Sequence, residues 1–312
     1  MSHVHRETYP MHRRQFLATA LTALPATVLA ESSPEKRQEE DKKFPSPLFK
    51  ISLAQWSNHK DLFAGRLTNL EWPEHTKKTH NILGLEYVNQ FFKEKAQDAA
   101  YLTELNQRVG DLGMTNLLIM VDGEGHLGAE TDAGRQKTVD QHKKWVDAAR
   151  TLGCHSIRVN SFGEGSSDEE KAAHCVRGLT ALSNYAQDQQ INILVENHGG
   201  LSSNGTWMAK VLAEVGLENC GSLPDFGNFH GYDRYQGLRD LMPFAKGVSA
   251  KSRVFDERGE EVHTDFEKAM RIVLEHDYHG WVGIEFEGKD HSSDEGIQLT
   301  KALLEKVRRE LS

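Results

Sequence analysis

The stretch Ile193–Gly200, ILVENHGG, decides how the chain is read. Ile193, Leu194 and Val195 have the character of a buried strand, and they run directly into Glu196, Asn197, His198 and two glycines. A carboxylate, an amide and an imidazole are all expensive to take out of water. A strand ending in all three ends either in open solvent or at the rim of a pocket that uses them.

Seven other stretches share this texture: FKISLAQWS, GLEYVNQ, TNLLIMVD, HSIRVNSFG, CGSLPDFG, KGVSAKS and WVGIEFEG. Between them lie longer amphipathic segments such as TVDQHKKWVDAARTLG and DEEKAAHCVRGLTALSNYAQDQQ, with apolar residues at helical spacing, and GIQLTKALLEKVRREL closes the chain as a helix. Strict strand–helix alternation implies a parallel sheet. Eight units within Leu48–Ser312 imply a single α/β domain, a (β/α)8 TIM barrel. An open doubly wound sheet is the competitor, but no glycine-rich dinucleotide fingerprint follows the first strand.

Alternation within strands agrees with a closed barrel. Ile191, Ile193 and Val195 share one face, and Asn192, Leu194, Glu196 and His198 the other. Val282, Ile284 and Phe286 likewise oppose Gly283, Glu285 and Glu287. The apolar set packs on helices, so Glu196 and Glu285 should point inward at the C-terminal strand ends, where barrels of this kind build active sites. Asp225 in LPDFGNFH and Lys251 in VSAKS end the sixth and seventh strands. Carboxylates converging on one mouth repel unless protonated or joined by a cation. Oxygen ligands suit Mn²⁺ or Mg²⁺, and an added imidazole extends the choice to Zn²⁺ or Co²⁺.

The ends of the chain have a different character. Arg13 and Arg14 precede an apolar run from Phe16 to Ala30, and Val28 and Ala30 have the small-residue spacing of a cleavage site. The pattern resembles a twin-arginine export signal at 1–30, which predicts a periplasmic protein. A largely apolar run of fifteen residues is too short for a stable membrane span, so none is expected after leader cleavage. Residues 31–47, ESSPEKRQEEDKKFPSP, read as a flexible linker. Cys154, Cys175 and Cys220 show neither zinc spacing nor a disulfide framework. With 46 acidic against 37 basic residues, the chain lacks the basic stripe that nucleic acid requires.

VENHGG, LPDFGNF, AKGVSAKS…FDERGEE and GWVGIEFEG together resemble the sugar phosphate isomerase/epimerase family, the xylose-isomerase-like TIM barrels, over essentially all of Leu48–Ser312. GLEYVNQFF, LLIMVDGEG and HSIRVNSFGEGS are similar to an exported bacterial branch of it. The resemblance implies one divalent metal ion (Mn, Mg, Zn or Co) held by Glu, Asp, His and Glu from the fifth to eighth strands. Position by position these fall on Glu196, Asp225, Ser249 and Glu285. The third departs from the pattern, since the usual HxK reads SAK. Either three carboxylates and water hold the ion, or His263 or His230 substitutes, or the ion is lost.

The implied activity is isomerisation or epimerisation of a sugar or keto-sugar through an enediolate, with dehydration a third outcome of the same site. Glu196 and Glu285 are the expected acid/base pair, and Lys251 either stabilises the enediolate oxygen or neutralises surplus carboxylate. His198, Arg158, Asn160, Glu86 and Asn228 are candidate substrate-binding groups, with Trp56 and Phe229 as aromatic walls. Neither DGEGHLG nor FGEGSSDEE has phosphate-loop spacing, which favours an unphosphorylated small carbohydrate. The competing reading is a non-catalytic sugar-binding barrel that has lost the ligand histidine. An endonuclease of the same superfold ranks third, and the oligomeric state is left open.

Overall fold

The computed structural model describes residues 43–312, so the leader read at 1–30 and all but the end of the linker at 31–47 lie outside the described residues. Eight strands follow in chain order: β1 Lys50–Ala54, β2 Gly84–Val88, β3 Thr115–Met120, β4 Ser156–Val159, β5 Asn192–Glu196, β6 Cys220–Leu223, β7 Val248–Ser252 and β8 Trp281–Phe286. Each falls inside one of the stretches singled out above, except that β5 begins one residue earlier, at Asn192. The helices are α1 His59–Phe63, α2 Trp72–His75, α3 Ala99–Asp111, α4 Asp132–Leu152, α5 Asp168–Gln187, α6 Gly205–Val215, α7 Arg234–Leu241, α8 Phe266–Glu275 and α9 Ser293–Leu311.

The strands form one parallel sheet in the order β6-β5-β4-β3-β2-β1-β8-β7. Between β6 and β7 the ladder is replaced by isolated bridges, Ser222 with Ala245 and Asp225 with Ser249. Ser249 N–H donates to Pro224 O at 2.9 Å, and Phe226 N–H donates to Ser249 O at 3.0 Å. This closes the TIM barrel and sets Asp225 directly beside Ser249.

The two faces of each strand separate as their alternation predicts. Leu194 points inward and packs with Ala54, Val88, Leu118, Met120 and Leu223 in a small core inside the barrel. Ile193, Val195, Val282, Ile284 and Phe286 belong to the larger core between sheet and helices. Seven helices from α3 to α9 begin at a side-chain cap: Asp98, Thr131, Ser167, Asn204, Asp233, Asp265 and Ser292. Each cap satisfies an otherwise orphaned helix N–H, an effect of about 1 kcal/mol.

The first unit departs from one strand, one helix. A 3₁₀ turn, α1 and α2 follow β1, and α2 continues into a wider π-helical turn over Thr76–His80. Pro73 in the first turn of α2 lacks the N–H a continuous helix would need there. At the end of β5, Gly199 and Gly200 adopt φ of +96° and +55°, values a side chain disfavours. The chain therefore turns at once, and Ser202 and Ser203 hydroxyls accept the His198 and Gly199 N–H groups.

Candidate active site

Strand order and inward alternation bring Glu196, Asp225 and Glu285 together, all three buried, with a carboxylate oxygen from each within 4.8 Å of the others. Ser249 lies among them, its Oγ 2.7 Å from Asp225 Oδ2 and 3.2 Å from Glu285 Oε2. Lys251 Nζ is 3.1 Å from Glu285 Oε1, 3.7 Å from Asp225 Oδ2 and 3.5 Å from Glu287 Oε2. On the other side Asn228 Nδ2 donates to Glu196 Oε1 at 3.0 Å. Arg158 Nε stands 2.8 Å from Glu196 Oε2, but its N–H is not aimed at that oxygen, and neither atom has a hydrogen-bond partner.

Burial governs the electrostatics. Desolvation pushes the Glu196 and Asp225 carboxyls well above the ordinary carboxylate range, with neighbouring carboxylates adding to the rise and Arg158 or Lys251 opposing it. Desolvation also raises Glu86, to about 7, against the lowering effect of Ser52. Burial pulls down on the Lys251 ammonium, but Asp225, Glu285, Glu196 and Glu287 outweigh it and hold the group above the usual lysine value. Asp122 is the opposite case: burial would raise it, yet Arg158 and Asn160 hold it down at about 2.

Six carboxyl groups, Glu86, Asp122, Glu196, Asp225, Glu285 and Glu287, thus share this region with the three permanent cations Arg158, Lys251 and Arg253. A buried cluster with this surplus must take up protons or a cation. The residues present fit a divalent ion: three buried oxygen donors converge, and Glu196 Oε2 makes no hydrogen bond. An all-oxygen donor set suits Mg²⁺ or Mn²⁺ best.

The remaining candidates are placed as follows. Asn160 Nδ2 and Arg158 Nη1 both donate to Asp122 Oδ1, at 2.7 and 2.8 Å, forming the β3–β4 side of the mouth. His198 is exposed at the rim, and desolvation followed by the Arg158 and Lys251 charges lowers its imidazole pKa. Trp56 donates through Nε1 to Glu287 Oε1 at 2.8 Å and forms an aromatic cluster with Phe63 and Phe91. Phe229 is buried in the outer core, where it fills the space left by Gly237 on α7. Of its two readings, wall packing is the one the fold realises.

Glu86 departs from its expected place among substrate-contacting groups. Its Oε1 accepts from Ser52 Oγ at 2.5 Å, and the carboxylate packs on Gly283, one inward position before Glu285 on β8. A Cβ on Gly283 would come within 2.4 Å of Glu86 Oε2, so the glycine makes room for the carboxylate. Glu86 is therefore buried in the barrel interior beneath the triad. His263 is likewise not brought to the triad: it is exposed and lines a separate surface cleft with Arg258, Glu260 and Lys306. His230 is exposed too.

Two contributors were not legible in advance. Asn197 Nδ2 donates to Asp225 O at 3.0 Å while its Oδ1 accepts Asp225 N–H at 2.7 Å, clamping the ends of β5 and β6. Asp122 anchors Arg158, and only its position after a strand hinted at it.

No curated protein matches the sequence. Among solved structures, the IOLI protein with a bound zinc atom is 16% identical, covers 85% of this chain and 99% of its own, and superposes with a TM-score of 0.68. D-psicose 3-epimerase in the presence of D-fructose is 13% identical over 83% of this chain and 99% of its own, TM-score 0.64. A xylose isomerase-like TIM barrel protein from Mycobacterium smegmatis in complex with magnesium is 13% identical over 86% and 100%, TM-score 0.64. At these identities the likeness is one of fold. The family of xylose isomerase-like TIM barrels matches residues 80–307, most of the described chain, and this protein belongs to it.

Proposed function

We propose that the protein is a divalent-metal-dependent isomerase or epimerase, with dehydration open to the same site, acting on an unphosphorylated sugar or keto-sugar through an enediolate. The observation that carries this reading is the convergence of Glu196, Asp225 and Glu285, each buried and each offering a carboxylate oxygen within 4.8 Å of the others. Relatives of the same fold that are described with zinc, with magnesium and as a sugar epimerase support it. The reading includes export through the leader at 1–30, from which unphosphorylated substrates follow.

Glu196, Asp225 and Glu285 would hold the ion, which when bound supplies polarisation of a carbonyl and acidification of the neighbouring C–H. Glu196 takes the proton from that carbon, and the C–H electron pair passes into the enediolate as the carbonyl oxygen gains negative charge. For epimerisation Glu285 delivers a proton drawn from solvent to the opposite face, and Glu196 gives its own proton up to solvent. For isomerisation a proton is delivered to the neighbouring carbon while the proton of that carbon's hydroxyl passes to the former carbonyl oxygen. Lys251 places a fixed positive charge beside the developing oxyanion, and Asn228, Arg158, Asn160 and His198 orient hydroxyl groups.

A sugar-binding barrel without turnover is the second reading. It is favoured by Ser249 and Lys251, which already supply Asp225 and Glu285 with a hydroxyl and an ammonium partner. Elemental analysis of protein purified without chelator separates the two. About one divalent ion per chain more in the wild-type protein than in Glu196→Gln is the expected result. It would be followed by metal-dependent deuterium uptake from D2O into a keto-sugar. Equal metal content in the two proteins after reconstitution would overturn the enzyme reading in favour of the binding barrel.

A further inference from the structure

A second set of metal-ligating side chains lies outside the barrel wall. His75 at the end of α2, His80 at the end of the π-helical turn and Asp294 in the first turn of α9 each offer a ligand atom, all within 4.8 Å of one another. His75 Nε2 is 2.9 Å and His80 Nε2 3.1 Å from the same oxygen, Asp294 Oδ1. The two imidazoles stand nearly perpendicular, at 81° with centroids 5.7 Å apart, so two ring edges converge on one carboxylate from different directions.

The local backbone produces this convergence. In an α-helix, residues five apart do not share a face, whereas the wider π turn over Thr76–His80 brings His80 round beneath His75. Such turns are uncommon and concentrate at functional sites. Asn81, in the left-handed region at φ 52°, then ends the helix immediately. His80 is fully buried in its side chain, and its Nδ1 has no hydrogen-bond partner, so its only polar attachment runs through Nε2. His75 Nδ1 lies 3.4 Å from Thr79 Oγ1, a partner for the proton that moves to Nδ1 when Nε2 ligates.

We propose that His75, His80 and Asp294 form a second divalent-metal site that takes Zn²⁺. Two imidazole nitrogens and one carboxylate oxygen make a donor set of intermediate softness, which favours Zn²⁺ over the hard ions Mg²⁺ and Ca²⁺. The barrel-mouth triad presents only oxygen, so the two sites select different metals. The cation takes the place of the two Nε2–H protons now pointing at Asp294 Oδ1. With Asp294 43% and His75 28% exposed in their side chains, the fourth position faces solvent. The site therefore combines three protein ligands with one exchangeable position.

The test uses the full chain in a Glu196→Gln background, which disables the barrel-mouth site while leaving this one intact. Zinc titration followed by X-ray absorption at the zinc edge should show one ion per chain with two imidazole ligands. Adding His75→Ala, or Asp294→Asn, should weaken zinc binding at least tenfold and remove one imidazole in the first case. Both substitutions sit at partly exposed positions, and zinc-free thermal melts verify that the fold is kept. Absence of zinc in the Glu196→Gln protein, or zinc binding unchanged by both added substitutions, would overturn the proposal. Failure of the barrel-mouth site is read separately, as equal metal content in the wild-type and Glu196→Gln proteins.

Discussion

Ser249 Oγ stands 2.7 Å from Asp225 Oδ2 across the seam where β6 meets β7, with Glu285 Oε2 3.2 Å away on its other side. A hydroxyl has a single proton to donate. It serves one of these carboxylates, and the second contact requires a proton on the carboxyl or a cation nearby. The serine thus sits where the family resemblance calls for an imidazole, holding two carboxylates together through a hydroxyl.

Ser249→His should supply the nitrogen ligand and shift the site toward softer ions. Zn²⁺ or Co²⁺ affinity is expected to rise at least tenfold in the presence of a His75→Ala substitution, which removes the competing outer cluster. Calorimetry measures this directly, and an unchanged affinity would mean that the fourth ligand position does not limit binding.

Metal binding at the mouth should release protons. The Glu196 and Asp225 carboxyls are raised by burial, so a fraction is protonated near and below neutrality. A divalent ion must displace those protons, and affinity should increase as pH rises through this range. Calorimetric titrations in buffers of different ionisation enthalpy should show proton release at pH 6 of about one per ion or more, falling at pH 8. Equal affinity at both pH values would contradict the protonated cluster.

Lys251→Met should make the fold depend on metal. The substitution removes the ammonium from among Asp225, Glu285 and Glu287 and leaves their charge uncompensated. Breaking a buried ion pair in this way costs about 3–5 kcal/mol. A urea midpoint that falls at pH 8 and recovers on adding Mg²⁺ or Mn²⁺ is the expected outcome. A fall of the same size with and without metal would count against a cation site among these oxygens.

Glu86→Gln should stabilise the protein above neutral pH. The carboxyl of Glu86 has a folded-state pKa of about 7, above its unfolded value. Its favourable contribution is complete below the unfolded value and is lost as pH rises through about 7. A neutral amide avoids that loss, so the gain should be absent at pH 4 and reach about 3 kcal/mol at pH 8.5. Equilibrium urea unfolding at both pH values checks the sign.

Asn197→Ala should loosen the triad without touching a proposed ligand. It removes both hydrogen bonds between the Asn197 side chain and the Asp225 backbone. It also leaves a buried N–H and C=O unpaired, at a cost of about 2–4 kcal/mol. Metal affinity should fall together with thermal stability, whereas a loss of stability alone would limit the clamp to holding the strands.

Much of the fold was legible because strand periodicity is local. Two-residue alternation in ILVE and GIEFE separates inner from outer side chains whatever the neighbouring strands are, so all eight strands formed at their expected stretches, β5 reaching one residue further back to Asn192. The residues Glu196, Asp225 and Glu285 could be nominated for the same reason: each follows directly from an apolar strand. Glu86 misled because alternation reports the direction of a side chain and not its depth. Its place beneath the mouth depends on Ser52 and Gly283, which approach it from β1 and β8. His263 misled because proximity in sequence to VSAKS does not carry a side chain back into the barrel.

By itself, then, the sequence determined which residues form strands, which faces they bury, and which strand ends carry ionisable groups, since these follow from local pattern and desolvation cost. Only the tertiary structure decided which of those groups meet. The Asn197 clamp joins two strands, the Ser249 contact spans the closing seam, and the His75–His80–Asp294 cluster joins α2 and its π turn to α9 from the far end of the chain. Such relationships depend on register, closure and the pitch of a single helical turn, which arise from packing across the whole barrel and have no counterpart in local spacing.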